Sequence, residues 1–156
     1  MINDILINAG SIAAIVAAFL SFFLWRSERN QDLSRLRALH QHLTFIEESA
    51  KGHEKHIKGN KLAAPSWPIA NIDLNFYLTN IKHKVRKEWC ICWINTHELK
   101  KELIATYEKI NNINYLWKLK IENQKTKSDL LTNSHYQDLY RFISSAKKEI
   151  EKVTRK

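Results

Sequence analysis

The sequence predicts an all-α protein in which an N-terminal transmembrane helix precedes an antiparallel helical bundle. Three observations lead to this fold class. Residues 5–25 contain neither a charged side chain nor a proline. The whole chain has only two prolines and three glycines, which favours long helices over a fold rich in turns. After residue 26, apolar residues recur at helical spacing in several separate stretches.

The uncharged segment is long enough to cross a bilayer as one helix. At a rise of about 1.5 Å per residue, roughly 20 apolar residues span the ~30 Å hydrocarbon core. Trp25 ends the segment, at the position where indole rings settle among lipid headgroups, and Arg26 and Arg29 follow it. The short tail before the segment carries Asp4 and no basic residue. The positive-inside rule therefore predicts an outer N-terminus and a cytoplasmic domain over residues 26–156.

Residues 1–25 have two other interpretations. A cleaved secretory signal requires basic residues before a shorter apolar run, and here the basic residues follow a long one. A buried core helix would account for the many alanines, although the segment has no polar face for water to contact. Gly10 and Ala14 form a pair of small residues one turn apart, which permits close approach of two such helices. A homo-oligomer is therefore expected.

The first two helices of the soluble domain are predicted from apolar spacing and loop residues. The first runs from about residue 26 to residue 51 and is compatible with an unbroken continuation of the membrane helix. Residues 52–65 contain two glycines and end in a proline, so they are predicted to form a loop. Ser66 is the predicted cap of a second helix, with Trp67 and Pro68 in its first turn.

Two matches to the capping-box pattern locate the last two helices. Asn95 with Glu98 begins a third helix that runs to about Asn123, and Ser134 with Gln137 begins the fourth. Asn114 lies on the apolar stripe of the third helix, where a buried amide would need hydrogen-bond partners. The predicted inner positions of the first and last helices are Leu33, Leu36, Leu39, Leu43, Ile46, Ala50, Tyr136, Leu139, Tyr140, Ile143, Ala146, Ile150 and Val153.

The apolar run at residues 89–94 is ambiguous. Leu74, Leu78, Ile81, Val85, Trp89 and Cys92 fit a helical period that would extend the second helix through it. A short buried strand is the alternative, because periodicity does not separate the two states in a run of this length. The helix is favoured here, since no second strand-like segment is recognised to pair with the run.

The candidate ligand site is the most basic stretch of the chain, which carries a formal net charge of +9. Phosphate requires cationic donors and a nucleobase requires a flat ring to stack on, and both occur within twelve residues. A solvated basic face followed by a core stretch is the plainer interpretation. Anionic lipid is a third, less favoured because a long helix and a loop separate the stretch from the membrane segment in sequence. The candidate residues are Lys82, His83, Lys84, Arg86, Lys87, Trp89 and Trp93.

Other kinds of site receive little support from the sequence. His53 and His56 could share a metal if their segment were helical, but no carboxylate or thiol partner is fixed nearby, so no metal or cofactor is expected. Cys90 and Cys92 are expected to be free thiols on the reducing side of the membrane. No phosphate-binding glycine loop, nucleophile elbow or paired-acid arrangement is found, and the chain is interpreted as a non-enzyme.

The layout resembles that of small bacterial membrane proteins with one N-terminal span, a basic exit and a helical cytoplasmic domain. Among these are the membrane-anchored ancillary effectors of type III CRISPR systems. The resemblance covers the overall plan and includes no diagnostic motif. It implies a homo-oligomer in the bacterial inner membrane that binds cyclic oligoadenylate and acts on the bilayer in antiviral defence, with no DNA partner. The alternatives are a single-span anchor that presents a helical protein-interaction domain, and a small pore-forming protein.

Overall fold

A computed structural model describes residues 2–59, 67–70, 74–86, 93–122 and 131–154. Within these ranges the chain is mostly helical, which confirms the predicted class at that level. Their elements in chain order are α1 (Ile2–Gly59), α2 (Leu74–Asn80), β1 (Lys84–Arg86), β2 (Trp93–Asn95), α3 (His97–Glu122) and α4 (Asn133–Thr154).

Helix α1 is a single unbroken element of 58 residues, about 87 Å long at the usual rise per residue. Residues 14–24 are exposed, and burial begins at Leu33, so the apolar part of α1 projects beyond the packed bundle. Within the described part of the chain, no helix is both long enough and apolar enough to cross a membrane. The side chains of residues 2–13 lie outside that description, and they include the first part of the predicted span.

The predicted loop at residues 52–65 is wrong over its first part, because α1 continues to Gly59. Residues 60–65 lie outside the described residues. The stripe formed by Leu43, Ile46 and Ala50 continues through His53, which is fully buried, and Ile57 packs against the same core. Burial of this additional turn offsets the helix-weakening effect of Gly52, which is about 1 kcal/mol.

Replacement of Gly52 by alanine is expected to stabilise the protein by about 0.5–1 kcal/mol. Gly52 is helical and exposed, and a β-carbon built there meets no atom within 4 Å. The alanine therefore reduces the entropy lost on folding without a steric cost. Urea unfolding of the full-length chain in detergent measures the change. An unchanged or lower midpoint in Gly52→Ala would contradict a helix that continues through this position.

Helix α4 runs antiparallel to α1 and is joined to it by polar contacts along its length. Lys147 Nζ lies 2.6 Å from Glu47 Oε2, and the Tyr140 hydroxyl donates a hydrogen bond of 2.8 Å to Glu54. The hydrogen bonds from Lys147 and Lys51 lower the pKa of the Glu47 carboxyl. These contacts fix the register in which the apolar faces of the two helices meet.

Helix α3 packs antiparallel to α4, with Lys109 Nζ 2.9 Å from Asp138 Oδ2 on α4. Helix α4 therefore runs opposite to both α1 and α3, which run in the same direction as each other, so these helices depart from the strictly antiparallel bundle predicted from the sequence. The predicted inner residues of α1 and α4 are all buried except Tyr140, which is partly buried. On α3 the buried positions are Leu99, Leu103, Thr106, Ile110 and Ile113.

The second predicted helix is confirmed only over Leu74–Asn80, which forms α2, and is wrong in its other described residues. Residues 67–70 are not helical, and Ser66, its predicted cap, lies outside the described residues. The backbone of Ile69 instead pairs with the amide of Asn114, which accepts from its N–H at 2.8 Å and donates to its carbonyl at 3.1 Å. Ser49 accepts a further hydrogen bond of 3.2 Å from the N–H of Ala70. The side chains of Asn114 and Ser49 thus provide the backbone of Ile69 and Ala70 with hydrogen bonds that compete with those of a helix.

Helices α3 and α4 begin close to their predicted starts. The Asn95 side chain accepts a hydrogen bond of 2.9 Å from the N–H of His97, and the Thr96 carbonyl accepts the first helical bond from Lys100, so the N-cap is one residue after the predicted Asn95. At the start of α4, the Thr132 hydroxyl bonds to both Ser134 and His135. The cap of α4 therefore involves a residue before the predicted Ser134.

Candidate functional site

The basic stretch forms one strand of a β-hairpin. Strands β1 and β2 are antiparallel, with Lys84 opposite Asn95, Val85 opposite Ile94 and Arg86 opposite Trp93. Alternate residues of a strand face opposite sides, and here Val85 and Ile94 pack on the core. The other face carries Lys84, Asn95 and Trp93, all exposed, and Trp93 retains 61% of its surface.

The hairpin overturns the helical prediction for residues 84–86 and 93–94. Residues 87–92, which include Trp89, Cys90 and Cys92, lie outside the described residues. The strand partner that the sequence did not reveal is β1 itself, a segment of only three residues. Burial of Val85 and Ile94 on one face stabilises this pairing, because a two-stranded hairpin needs a packed face to be stable.

Thr96 fixes the base of the hairpin. Its N–H donates a hydrogen bond of 2.9 Å to the carbonyl of His83, and its hydroxyl donates one of 2.5 Å to the carbonyl of Lys82. Thr96 is itself buried and lies directly before α3. The hairpin is therefore held to the beginning of α3 by three hydrogen bonds, namely these two and the bond from the His97 N–H to the Asn95 side chain.

Lys82 connects the hairpin to α1. Its Nζ lies 3.1 Å from Asp32 Oδ2 and 3.6 Å from Glu28 Oε2. The hydrogen bond to Asp32 is the main cause that raises the pKa of Lys82, and the nearby charge of Glu28 adds to it. Both carboxylates lie within two turns of Trp25, where the apolar segment of α1 ends.

A small cavity marks the contact between the hairpin and α1. It measures about 80 Å³ and is lined by residues of both elements. Ligand pockets for small molecules usually enclose about 300–1,000 Å³, so this cavity is too small to enclose a nucleotide. At this place a nucleotide would therefore contact the open face of the hairpin rather than enter a cavity. The lining residues are Trp25, Glu28, Arg29, Asp32, Lys82, Val85 and Trp93.

The predicted site residues therefore separate into distinct groups. Lys84 and Trp93 share the exposed face of the hairpin, whereas Lys82 is engaged by carboxylates of α1. His83 is exposed at the base of the hairpin. Arg86 is described by its backbone alone, as the partner of Trp93 in register. Lys87 and Trp89 lie outside the described residues.

A second cluster, which the sequence interpretation missed, lies in the core at the far end of α1. The fully buried His53 has its Nδ1 2.7 Å from the hydroxyl of Tyr136, and burial lowers the pKa of its imidazole to about 4. Burial raises the pKa of the Tyr136 hydroxyl, and the neighbouring charge of Glu54 raises it further. Burial and the hydrogen bond to Glu54 raise the pKa of Tyr140. The sequence does indicate that His53 is buried, because it follows Ala50 by three positions and so lies on the apolar stripe of α1.

The described residues contain no group of three or more histidine, cysteine, aspartate or glutamate side chains arranged to hold a metal. His53 and His56 do not form a site of that kind. The imidazole of His53 instead lies edge-on to Trp117, with ring centroids 6.4 Å apart, and His56 lies similarly against Trp67 at 5.6 Å. Both histidines therefore contribute aromatic packing.

Comparison with known proteins gives no relative from which a role could be transferred. No family model, no curated protein and no solved structure matches the chain.

Proposed function

We propose that the chain is a single-span membrane protein whose helical cytoplasmic domain binds a polyanionic nucleotide and acts on the membrane, without enzymatic chemistry. The proposal places it in a bacterial inner membrane, as a homo-oligomer in antiviral defence. The uncharged segment 5–25 and the arginines after it support the anchorage. Exposed apolar side chains on residues 15–24, beyond the bundle, are consistent with a lipid environment.

The observation that carries the proposal is the attachment of the basic hairpin to α1 at the end of the apolar segment. Lys82 bridges to Glu28 and Asp32, so a ligand on the hairpin lies within a few turns of the membrane segment. A single continuous helix then connects the site to the proposed span. Binding can change the membrane segment only if the ligand favours one arrangement of the helices over another.

The exposed hairpin face provides the chemistry that such a ligand requires. Lys84 supplies a cation for phosphate, and the Trp93 ring supplies a surface on which a base can stack. The described residues of one chain leave this face open to solvent. A symmetric oligomer would bring several copies around one axis, so that a cyclic ligand with several phosphates meets one face from each subunit.

Replacement of Lys84 by glutamate is expected to weaken nucleotide binding about tenfold or more, because a charge-assisted hydrogen bond contributes about 1.5–3 kcal/mol. Fluorescence anisotropy with labelled cyclic tetra-adenylate, on the full-length chain in detergent at low salt, measures the affinity. Lys55→Glu is the matched control. It makes the same charge change at an exposed lysine of α1, about 45 Å along the helix from Trp25. Absence of binding by the unmodified chain, or equal loss in both variants, would contradict the proposal.

A protein-docking domain on a membrane anchor is the second candidate. Phe45 on α1 and Ile104 on α3 are exposed apolar residues, which a partner protein could cover. The same pair of variants separates the two functions. A docking domain would retain its cellular activity in Lys84→Glu, whereas a nucleotide sensor would lose it.

A further inference from the structure

The hairpin and the end of the apolar segment form one continuous surface. Trp25 and Arg29 of α1 line the same small cavity as Lys82 and Trp93 of the hairpin. The guanidinium carbon of Arg29 lies 5.7 Å from the centre of the Trp25 ring. Two tryptophans, two cations and the carboxylates of Glu28 and Asp32 therefore meet where the apolar helix enters the bundle.

The depth of this surface can be estimated from the helix rise. Glu28 and Asp32, the two residues that hold Lys82, lie about 5 Å and 10 Å beyond Trp25 along α1. A headgroup layer extends about 5–8 Å beyond the hydrocarbon core on each side of a bilayer. When Trp25 lies at the hydrocarbon boundary, the hairpin therefore lies level with the headgroups or just outside them.

The residues at that depth are suited to an anionic lipid surface. Trp93 is 61% exposed, and an indole ring is favoured at a membrane interface. Lys84 is exposed on the same hairpin face, and Arg26 is exposed on α1. The carboxylate of Asp32 is engaged by Lys82, which reduces its repulsion of lipid phosphates. A cation within about one Debye length of an anionic leaflet is attracted to it.

We propose that the exposed hairpin face, with Lys84 and Trp93, binds the anionic phospholipid headgroups of the membrane that holds α1. The inference rests on the membrane anchorage proposed above. It also adds a regulatory step to that function, because a soluble polyanion would compete with lipid phosphates for Lys84. Nucleotide binding would then release the hairpin from the bilayer surface. The lipid-bound hairpin and the released hairpin are two states, and the nucleotide favours the released one.

Quenching of tryptophan fluorescence by lipids with a nitroxide on the headgroup tests the proposal. The full-length chain is reconstituted into vesicles of phosphatidylcholine, or of an equal mixture of phosphatidylcholine and phosphatidylglycerol. The contribution of each ring is the difference between the unmodified chain and the Trp25→Phe or Trp93→Phe variant. We expect quenching of Trp93 to be about twofold greater in the anionic vesicles and to fall to the neutral-vesicle level in high salt.

Charge variants identify the cause of that difference. Lys84→Glu should remove the increase in Trp93 quenching, whereas Lys55→Glu, far from the proposed interface, should retain it. Circular dichroism checks that each variant remains helical. Quenching of Trp25 without quenching of Trp93 overturns the lipid contact and leaves the anchorage intact. Absence of quenching at both rings overturns the anchorage itself, and with it this inference.

Discussion

Arginine at both Ile15 and Phe19 is expected to remove the full-length chain from the membrane fraction. Both residues are exposed on α1 in the segment that precedes the bundle, and residue 15 is the midpoint of the uncharged stretch. Each arginine near the centre of a span costs about 2.5–3.5 kcal/mol, and the lost apolar residue contributed a few tenths more. The combined cost is about 6 kcal/mol. The eleven isoleucine, leucine, valine and phenylalanine residues of the stretch contribute roughly 3–7 kcal/mol before its polar residues are subtracted.

Alkaline carbonate extraction measures this effect, because it releases peripheral proteins and retains integral ones. The matched control is a double variant with Phe45→Arg and Ile104→Arg, two exposed apolar residues of the bundle. It adds the same charge to the chain at positions outside the proposed span, and should remain in the pellet. Retention of Ile15→Arg/Phe19→Arg in the pellet, or extraction of the unmodified chain, would disprove the anchorage.

The long helices could be predicted from the sequence because their spacing is repeated over many turns. The stripe from Leu33 to Ala50, and the one from Tyr136 to Val153, each supply at least five buried positions. The end of α1 could not be located in the same way. Gly52 indicates a loop when it is read locally, whereas the buried His53 and the partly buried Ile57 show that tertiary packing outweighs that preference.

The hairpin could not be predicted for two physical reasons. Strands of three residues are too short to establish an alternation, and Val85 also fits the helical stripe of the preceding residues. The position of the hairpin is a tertiary property as well. Lys82 is 50 positions from Asp32 in sequence, and this separation predicted that the basic stretch lies far from the membrane segment. In the folded chain the two side chains are in contact, so the basic stretch lies close to the end of the apolar segment.

The buried histidine makes a further prediction, on the pH dependence of stability. Burial lowers the pKa of His53 from 6.5 to about 4. The unfolded chain therefore takes up a proton at His53 between these values, whereas the folded chain does not. Stability due to this residue is fully present above about pH 6.5 and is lost as the pH falls to about 4. The loss amounts to about 3 kcal/mol at 1.36 kcal/mol per pH unit.

Replacement of His53 by asparagine should remove this slope. An asparagine nitrogen can occupy the position of Nδ1 and keep the hydrogen bond to Tyr136, but it does not titrate in this range. Urea unfolding between about pH 7 and pH 4.5 should show a decrease that is about 2–3 kcal/mol smaller in His53→Asn than in the unmodified chain. The measurement ends at this pH because Glu47, whose pKa is lowered by its lysine partners, loses its contribution below 4.5.

The exposed His97 provides the control for this experiment. His97→Asn removes a histidine that remains in contact with water in the folded state, so it should leave the pH slope unchanged. An equal slope in His53→Asn and the unmodified chain would show that the proton enters elsewhere. The test also examines the end of α1, because only a helix that continues past Gly52 brings His53 against Tyr136 and Trp117 in the core. Loss of the slope in His53→Asn alone would therefore support both the buried imidazole and the extended helix.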